Sequence, residues 1–271
     1  MATLIMINSV SVFVRELWWF GVKQASACLF GGFLLFVMIT TSFWYPFTAL
    51  HRYDFLFIAA VVFQFGLLVF RMETMKEAKV VLIFHIVATL MELFKTSEHI
   101  GSWHYPDQYV LGIGNVPLFT GFMYSAVGSY NARVWRIFEF RFERYPTKTA
   151  TVIFVVCVYL NFFTHHYIWD MRWLLVAFSV LLFGQTRIYF NVVGVYRHMT
   201  LLLGLALVSF FIWLAENIAT YTRIWVYPSQ GNDWHWVPMT KWMAWFLLMQ
   251  LSFVMVSMVR GGHCLSPKKK P

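Results

Sequence analysis

Residues 199–221 read MTLLLGLALVSFFIWLAENIATY, and the one formally charged side chain in this stretch is Glu216. A helix of this length rises past the roughly 30 Å of hydrocarbon in a bilayer, so the stretch predicts a membrane-spanning helix. It also predicts that a carboxylate lies inside that membrane. Similar runs fall at 25–45, 55–71, 79–96, 117–133, 149–165, 171–189 and 239–259. The sequence therefore predicts an all-α, polytopic membrane helix bundle of eight transmembrane helices in a single domain over residues 1–271. Composition agrees, since 60% of residues are hydrophobic and 12% charged, where soluble domains carry about a quarter charged. The apolar stretch from Leu4 to Val14 precedes its first charge, Arg15, which reverses the order of a secretory signal. Residues 4–22 read as an N-terminal interfacial helix.

The formal net charge of +9 has its explanation in topology. With eight alternating spans, the 21 basic residues divide 16 to 5 in favour of the side that holds both termini. The positive-inside rule makes that side cytoplasmic. The excess charge then lies beside anionic lipid, and nucleic acid is not an expected partner. Cys28, Cys157 and Cys264 are too scattered for a zinc motif or a disulfide framework. The stretch RVWRIFEFRFER at 133–144 reads as an amphipathic cytoplasmic helical extension, and the final PKKKP as a solvated tail.

Acidic and histidine residues gather on the opposite side. His85, Glu92 and His99 are spaced by seven and form one stripe along the third span, as do Ser209, Glu216 and Arg223 on the seventh. Asn161 and His165 lie one turn apart, and His166 precedes Asp170 by four. An ionisable group inside a span costs at least about 2.5 kcal/mol unless it is paired or faces a cavity, so Glu92 and Glu216 are expected to face the bundle interior. The candidate site is Glu92, His99, His165, His166, Asp170 and Glu216. Trp103, Tyr105, Trp225 and Trp234 sit at the same level, where an interfacial aromatic belt accounts for them.

Three chemistries fit that set. A carboxylic acid with a histidine base would serve acid/base hydration or hydrolysis of a lipophilic substrate, with Glu92 or Glu216 as acid and His165 or His166 as base, oriented by Asp170. The same side chains are acceptable ligands for a metal-dependent hydrolase, although no HExxH-type spacing occurs and the metal state stays open. A proton- or cation-coupled transporter would make His85 and Gln250 as important as Glu216. Pairing that simply holds helices together is the structural alternative. Membrane lipids and a lipophilic small molecule are the expected partners, and no cofactor is specified.

The two halves carry comparable signals in the same order. HRYD at 51–54, Glu92, YPD at 105–107 and VP at 116–117 are followed by HYIWD at 166–170, Glu216, YPS at 227–229 and VP at 237–238. This suggests a parallel four-plus-four pseudo-repeat with halves 25–136 and 149–259. ELFKTSEHIGSWHYPD at 92–107, GNVPLFTGFMYSAVGSYNARVWR at 114–136, NFFTHHYIWDMR at 161–172 and WVYPSQGNDWHWVPMTKWMAWFLLM at 225–249 resemble the bacterial membrane family called domain of unknown function eight hundred and seventeen, across about residues 20–260. That resemblance implies a multi-pass protein of the bacterial cytoplasmic membrane. Glu98-His-Ile-Gly101, followed by Tyr-Pro and Gly-Asn-Val-Pro, is more remotely similar to membrane-bound carotenoid hydratases, which implies cofactor-free addition of water to an isoprenoid double bond.

Overall fold

The computed structural model describes residues 2–259, and it is mainly helical. Arg260, His263, Cys264 and the PKKKP tail lie outside the described residues. In chain order come α1 (Ala2–Ala27), α2 (Leu29–Phe43), α3 (Arg52–Val69), α4 (Met75–Lys95), the short pair β1 (Gly112–Ile113) and β2 (Val116–Pro117), and α5 (Phe119–Ile137). Then follow β3 (Arg141–Glu143), α6 (Lys148–Thr164), α7 (Arg172–Phe183), β4 (Arg187–Asn191), β5 (Tyr196–Thr200), α8 (Leu201–Tyr221) and α9 (Thr240–Val259). Local signals set the boundaries. Thr74 and Glu77 cap α4 reciprocally, and Thr147 and Thr200 accept from the third backbone N–H of α6 and α8.

Helices lie in all eight expected segments, but eight membrane spans are not supported. Among the described residues α3, α8 and α9 are long and apolar enough to cross a membrane; α1 and α2, bent by 70° at Cys28, make a fourth if the pair counts as one span. The reasons are length and charge. At about 1.5 Å per residue, the 17 residues of α6 and the 12 of α7 fall short of the hydrocarbon thickness. Lys76, Glu77, Lys79, Glu92 and Lys95 interrupt α4, and α5 is rich in Gly, Ser, Asn and Arg. The expected interfacial helix at 4–22 is also longer, since α1 continues to Ala27; Phe13, Leu17 and Trp18 are exposed along it.

The bundle is also not purely helical. The run at 171–189 looked like one span because α7 ends at Phe183 and the alternating strand RIYFN begins after only three more residues, at Arg187. That strand is the centre of an antiparallel sheet in the order β3–β4–β5, with Phe142 opposite Ile188 and Ile188 opposite Met199. Its partner β3 comes from the segment expected to extend as an amphipathic helix. That helix instead stops at Ile137, and Glu139 takes a left-handed φ of 52° before the strand begins. The sheet closes one end of the bundle, here called the sheet end.

Around α5 and α9, which touch each other, the helix pairs repeat. Contacts of α2 with α3, α2 with α5, α3 with α5 and α4 with α5 have counterparts in α6 with α7, α6 with α9, α7 with α9 and α8 with α9. Close approach of α4 and α5 depends on small residues. A Cβ placed on Gly121 would fall 2.5 Å from the His85 ring, one on Gly128 would fall 2.9 Å from the Phe84 ring, and Ser125 donates to the Val81 carbonyl at 2.8 Å.

At the sheet end a buried Arg133 ties three elements together. Its guanidinium donates to the Met72 carbonyl (2.6 Å) and, at the α1–α2 bend, to the Ser26 carbonyl (2.7 Å), and lies 3.9 Å from Glu73. Glu73 also accepts from Ser129 and Gln64, and Arg136 pairs with buried Glu77 at 2.8 Å. Arg133→Met leaves Glu73 as an uncompensated buried charge, so we expect it to destabilise by about 3–5 kcal/mol, with Arg133→Met/Glu73→Gln recovering most of the loss. Thermal unfolding in detergent checks this, and equal melting points for the single and double variants would refute it.

Candidate functional site

At the end opposite the sheet, the two glutamates are approached by the chain in the same way. Past Glu92, α4 ends at Lys95, Gly101 adopts φ +52°, and the Ser102 N–H returns to the Lys95 carbonyl at 2.9 Å. Past Glu216, α8 ends at Tyr221, Arg223 adopts φ 54°, and the Ile224 N–H returns to the Ala219 carbonyl at 2.9 Å. Each turn folds a Trp-x-Tyr segment back towards its own glutamate. The two segments meet where His104 and Val226 exchange backbone hydrogen bonds of 3.1 and 2.9 Å.

Those segments supply the donors that burial of a carboxylate requires. Glu92 accepts from Trp103 Nε1 (2.9 Å), Tyr105 Oη (2.6 Å) and Tyr124 Oη of α5 (2.8 Å). Glu216 accepts from Tyr227 Oη and from Trp245 Nε1 of α9 (2.8 Å). Indole N–H groups can only donate. Burial, reinforced by the neighbouring glutamate charge, pushes the Tyr105 and Tyr227 hydroxyls well above the usual tyrosine range, so they remain O–H donors. Among the described residues no Lys, Arg or His comes within ion-pair distance of either glutamate.

Both carboxylates and all five donors line one cavity of about 720 Å³. Its remaining walls are largely apolar residues of α1, α2, α5, α8 and α9, and it extends to Phe138 and Phe190 at the sheet end. Leu207 and Phe211 line it and are exposed on the outer surface of α8, so the cavity reaches the bundle's flank. His85 packs against Phe122, and Gln250 bonds the Phe246 carbonyl; neither lines the cavity.

Three of the other expected site residues, His165, His166 and Asp170, gather nearby in a separate cluster. Lys95 Nζ lies 2.7 Å from His166 Nε2 and 3.4 Å from His165 Nε2, while His165 Nδ1 lies 2.7 Å from the Asn161 carbonyl. A carbonyl only accepts and an ammonium only donates. Nδ1 of His165 therefore carries its proton, and the Nε2 lone pairs of both histidines accept from Lys95. Asp170 accepts from Asn161 (3.2 Å) and pairs with Arg172 (3.2 Å). Burial opposes its charge, but the Arg172 N–H, the Asn161 amide and the Arg172 guanidinium outweigh it and hold the carboxyl below its ordinary range. His99 is exposed in the turn after α4, apart from both groups. No group of three His, Cys, Asp or Glu able to hold a metal ion exists among the described residues.

Five residues outside the expected set complete the carboxylate site: Trp103, Tyr105, Tyr124, Tyr227 and Trp245. The signal was present as Trp-x-Tyr at 103–105 and again at 225–227, each about three turns' length of chain past its glutamate. An aromatic belt explained Trp103, Tyr105 and Trp225, which hid the pattern, and nothing in the sequence singled out Tyr124 or Trp245.

Partial burial and the charge of Lys95 push His166 down to about 4, against an ordinary 6.5. The unfolded chain takes up that proton near 6.5 and the folded chain does not. This contribution is therefore complete above pH 6.5 and is lost as pH falls towards 4. We expect imidazole NMR to find His166 neutral at pH 5.5 and Lys95→Met to raise its titration point; a wild-type value near 6.5 would refute the Lys95 contact.

Comparison with known proteins agrees with the resemblance first seen in the sequence. The family model described as "Protein of unknown function (DUF817)" matches residues 16–253. The chain is 38% identical over 256 residues, 94% of its own length and 96% of the relative's, to "Uncharacterized protein YoaT" of Bacillus subtilis (strain 168). No solved structure matches. With the family model covering most of the chain and a relative matched almost end to end, the protein belongs to the DUF817 family.

Proposed function

We propose that the protein is a multi-pass membrane protein that binds a lipophilic organic cation in the cavity, with Glu92 and Glu216 as its counter-charges. One observation carries this reading: two buried carboxylates, held among the described residues by aromatic donors and without an ion-pair partner there, face the same apolar cavity. Aromatic faces beside a carboxylate are the usual recognition chemistry for a greasy ammonium group. The outward reach at Leu207 and Phe211 supports entry from the hydrocarbon, and in this reading the ligand leaves along the same path or is handed across.

Arg71, Arg136, Arg141, Arg144, Arg187 and Arg197 lie at the sheet end. The positive-inside rule supports placing that end, and both termini, on the cytoplasmic side of the cell membrane. The matching helix pairs and the reciprocal His104–Val226 bridge support an internal duplication whose axis passes between the two glutamates. An ion-coupled path through His85 and Gln250 loses ground, because neither residue reaches the cavity.

Acid/base hydration remains the second reading, and one observation favours it: two carboxyl groups at one cavity can act as acid and base on a double bond between them. The histidine bases are otherwise engaged, since Lys95 occupies both Nε2 lone pairs. Tetraphenylphosphonium binding to the purified protein in nanodiscs tests the main reading. We expect saturable binding that weakens at least about tenfold in Glu92→Gln and in Glu216→Gln, with a neutral tetraphenyl analogue not competing. Equal binding by wild type and both variants would overturn it. A lipid species in cell extracts that gains one water only with the wild type would instead establish hydration.

A further inference from the structure

We infer a second binding site, for a phosphate-class anion, on the far side of the aromatic residues that hold Glu92 and Glu216. Three basic residues from three helices belong to one chain of contacts there: Lys95 at the end of α4, Arg172 at the start of α7 and Lys241 at the start of α9. Contacts link them in a continuous chain. Lys95 bonds His165 and His166; His165 bonds the Asn161 carbonyl; Asn161 bonds Asp170; Asp170 pairs with Arg172; and Arg172 Nη1 reaches the Thr240 carbonyl at 3.4 Å, one residue before Lys241.

The cations are incompletely partnered. Lys95 is 4% exposed, and burial holds its amine down to about 7; it bonds two imidazoles and, among the described residues, no carboxylate, so a bound anion would favour its charged form. Lys241 is half-buried and has no hydrogen-bond acceptor among the described residues; it sits over the Tyr227 ring at 4.4 Å and the Trp103 ring at 5.8 Å. Among the described residues Asp170 is the single carboxylate paired into the group, and it is spent on Arg172. Glu92 and Glu216 are the next nearest negative charges, but their oxygens face the cavity and accept from the rings. Helices α7 and α9 begin at the cluster, so both direct the positive ends of their dipoles at it. A compact oxyanion with several acceptor oxygens is the ligand such a group of cations would take, and a guanidinium beside two amines is suited to a phosphate.

The site differs from the cavity in sign and in place, so the two ligands are of opposite charge. Tyr227 joins them, with its ring under Lys241 and its hydroxyl on Glu216. Inorganic phosphate and a lipid phosphomonoester headgroup share this chemistry, and the membrane-edge position admits either.

The full-length protein in phosphatidylcholine nanodiscs is titrated with inorganic phosphate by calorimetry at constant ionic strength, and the titration is repeated with 10% phosphatidic acid in the disc. We expect saturable phosphate binding that weakens at least about tenfold in Lys241→Met. Phosphatidic acid that abolishes the phosphate signal identifies a lipid headgroup as the natural source, and an unchanged signal identifies the free anion. No saturable binding in either disc would overturn the inference, as would equal affinity of wild type and Lys241→Met. Arg172→Gln, at a half-buried position, is the second variant should Lys241→Met fail to fold; a phosphate affinity unchanged by it would be equally damaging. The proposed site stands or falls apart from organic-cation binding, which uses the other side of the aromatic layer.

Discussion

A carboxylate inside a low-dielectric bundle has to be given hydrogen-bond donors where it sits, and this requirement organises the end of the molecule opposite the sheet. Removing water from Glu92 and Glu216 costs several kcal/mol each unless it is compensated. Hydrogen bonds to a charged group contribute about 1.5–3 kcal/mol apiece. Three reach Glu92 and two reach Glu216. Those donors come from turns that fold back over the helix ends and from the next helices, so the loops after α4 and α8 are shaped by the glutamates they cover. The chain's own cations lie beyond the rings, and this leaves the carboxylates open to a ligand on the cavity side.

The same constraint operates at the sheet end with the opposite solution. There the buried acids Glu73 and Glu77 are matched by Arg133 and Arg136, and Arg133 also satisfies the Met72 and Ser26 carbonyls left at helix ends. One end of the bundle is therefore a closed ion-pair network that fixes the bend between α1 and α2. The other end holds carboxylates facing a cavity. Between them the close contact of α4 with α5, made by Gly121, Ser125 and Gly128, sets the height of Glu92 against Tyr124.

Much of this was legible in the chain. Hydropathy located every helix from α2 to α9 within a few residues, and the insertion penalty on Glu92 and Glu216 pointed both inward, where the cavity lies. Hydropathy could not distinguish a span from a short buried helix, and α7 followed by the apolar strand β4 looked like one continuous segment. The sheet was hidden because Phe142, between Arg141 and Glu143, and Ile188, beside Arg187, alternate over too few residues to separate strand from amphipathic helix. At the site, residue type misled in both directions. His165 and His166 had the right chemistry for a base, but no sequence pattern reveals that Lys95 takes both lone pairs. Trp103 and Tyr105 matched an interfacial belt, nothing singled out Tyr124, Tyr227 or Trp245 as site residues, and the indole and hydroxyl hydrogens of all five pointing at glutamates are a tertiary fact.

The central claim is that Glu92 and Glu216 act together on one ligand. The most direct measurement is a double-mutant cycle for organic-cation affinity, comparing Glu92→Gln, Glu216→Gln and the double variant under identical conditions. Joint counter-charges on a single bound cation give strong coupling, with the double variant losing clearly less or more than the product of the two single losses. Independent, multiplicative losses would contradict the account, because they would mean that the two carboxylates do not share an occupant.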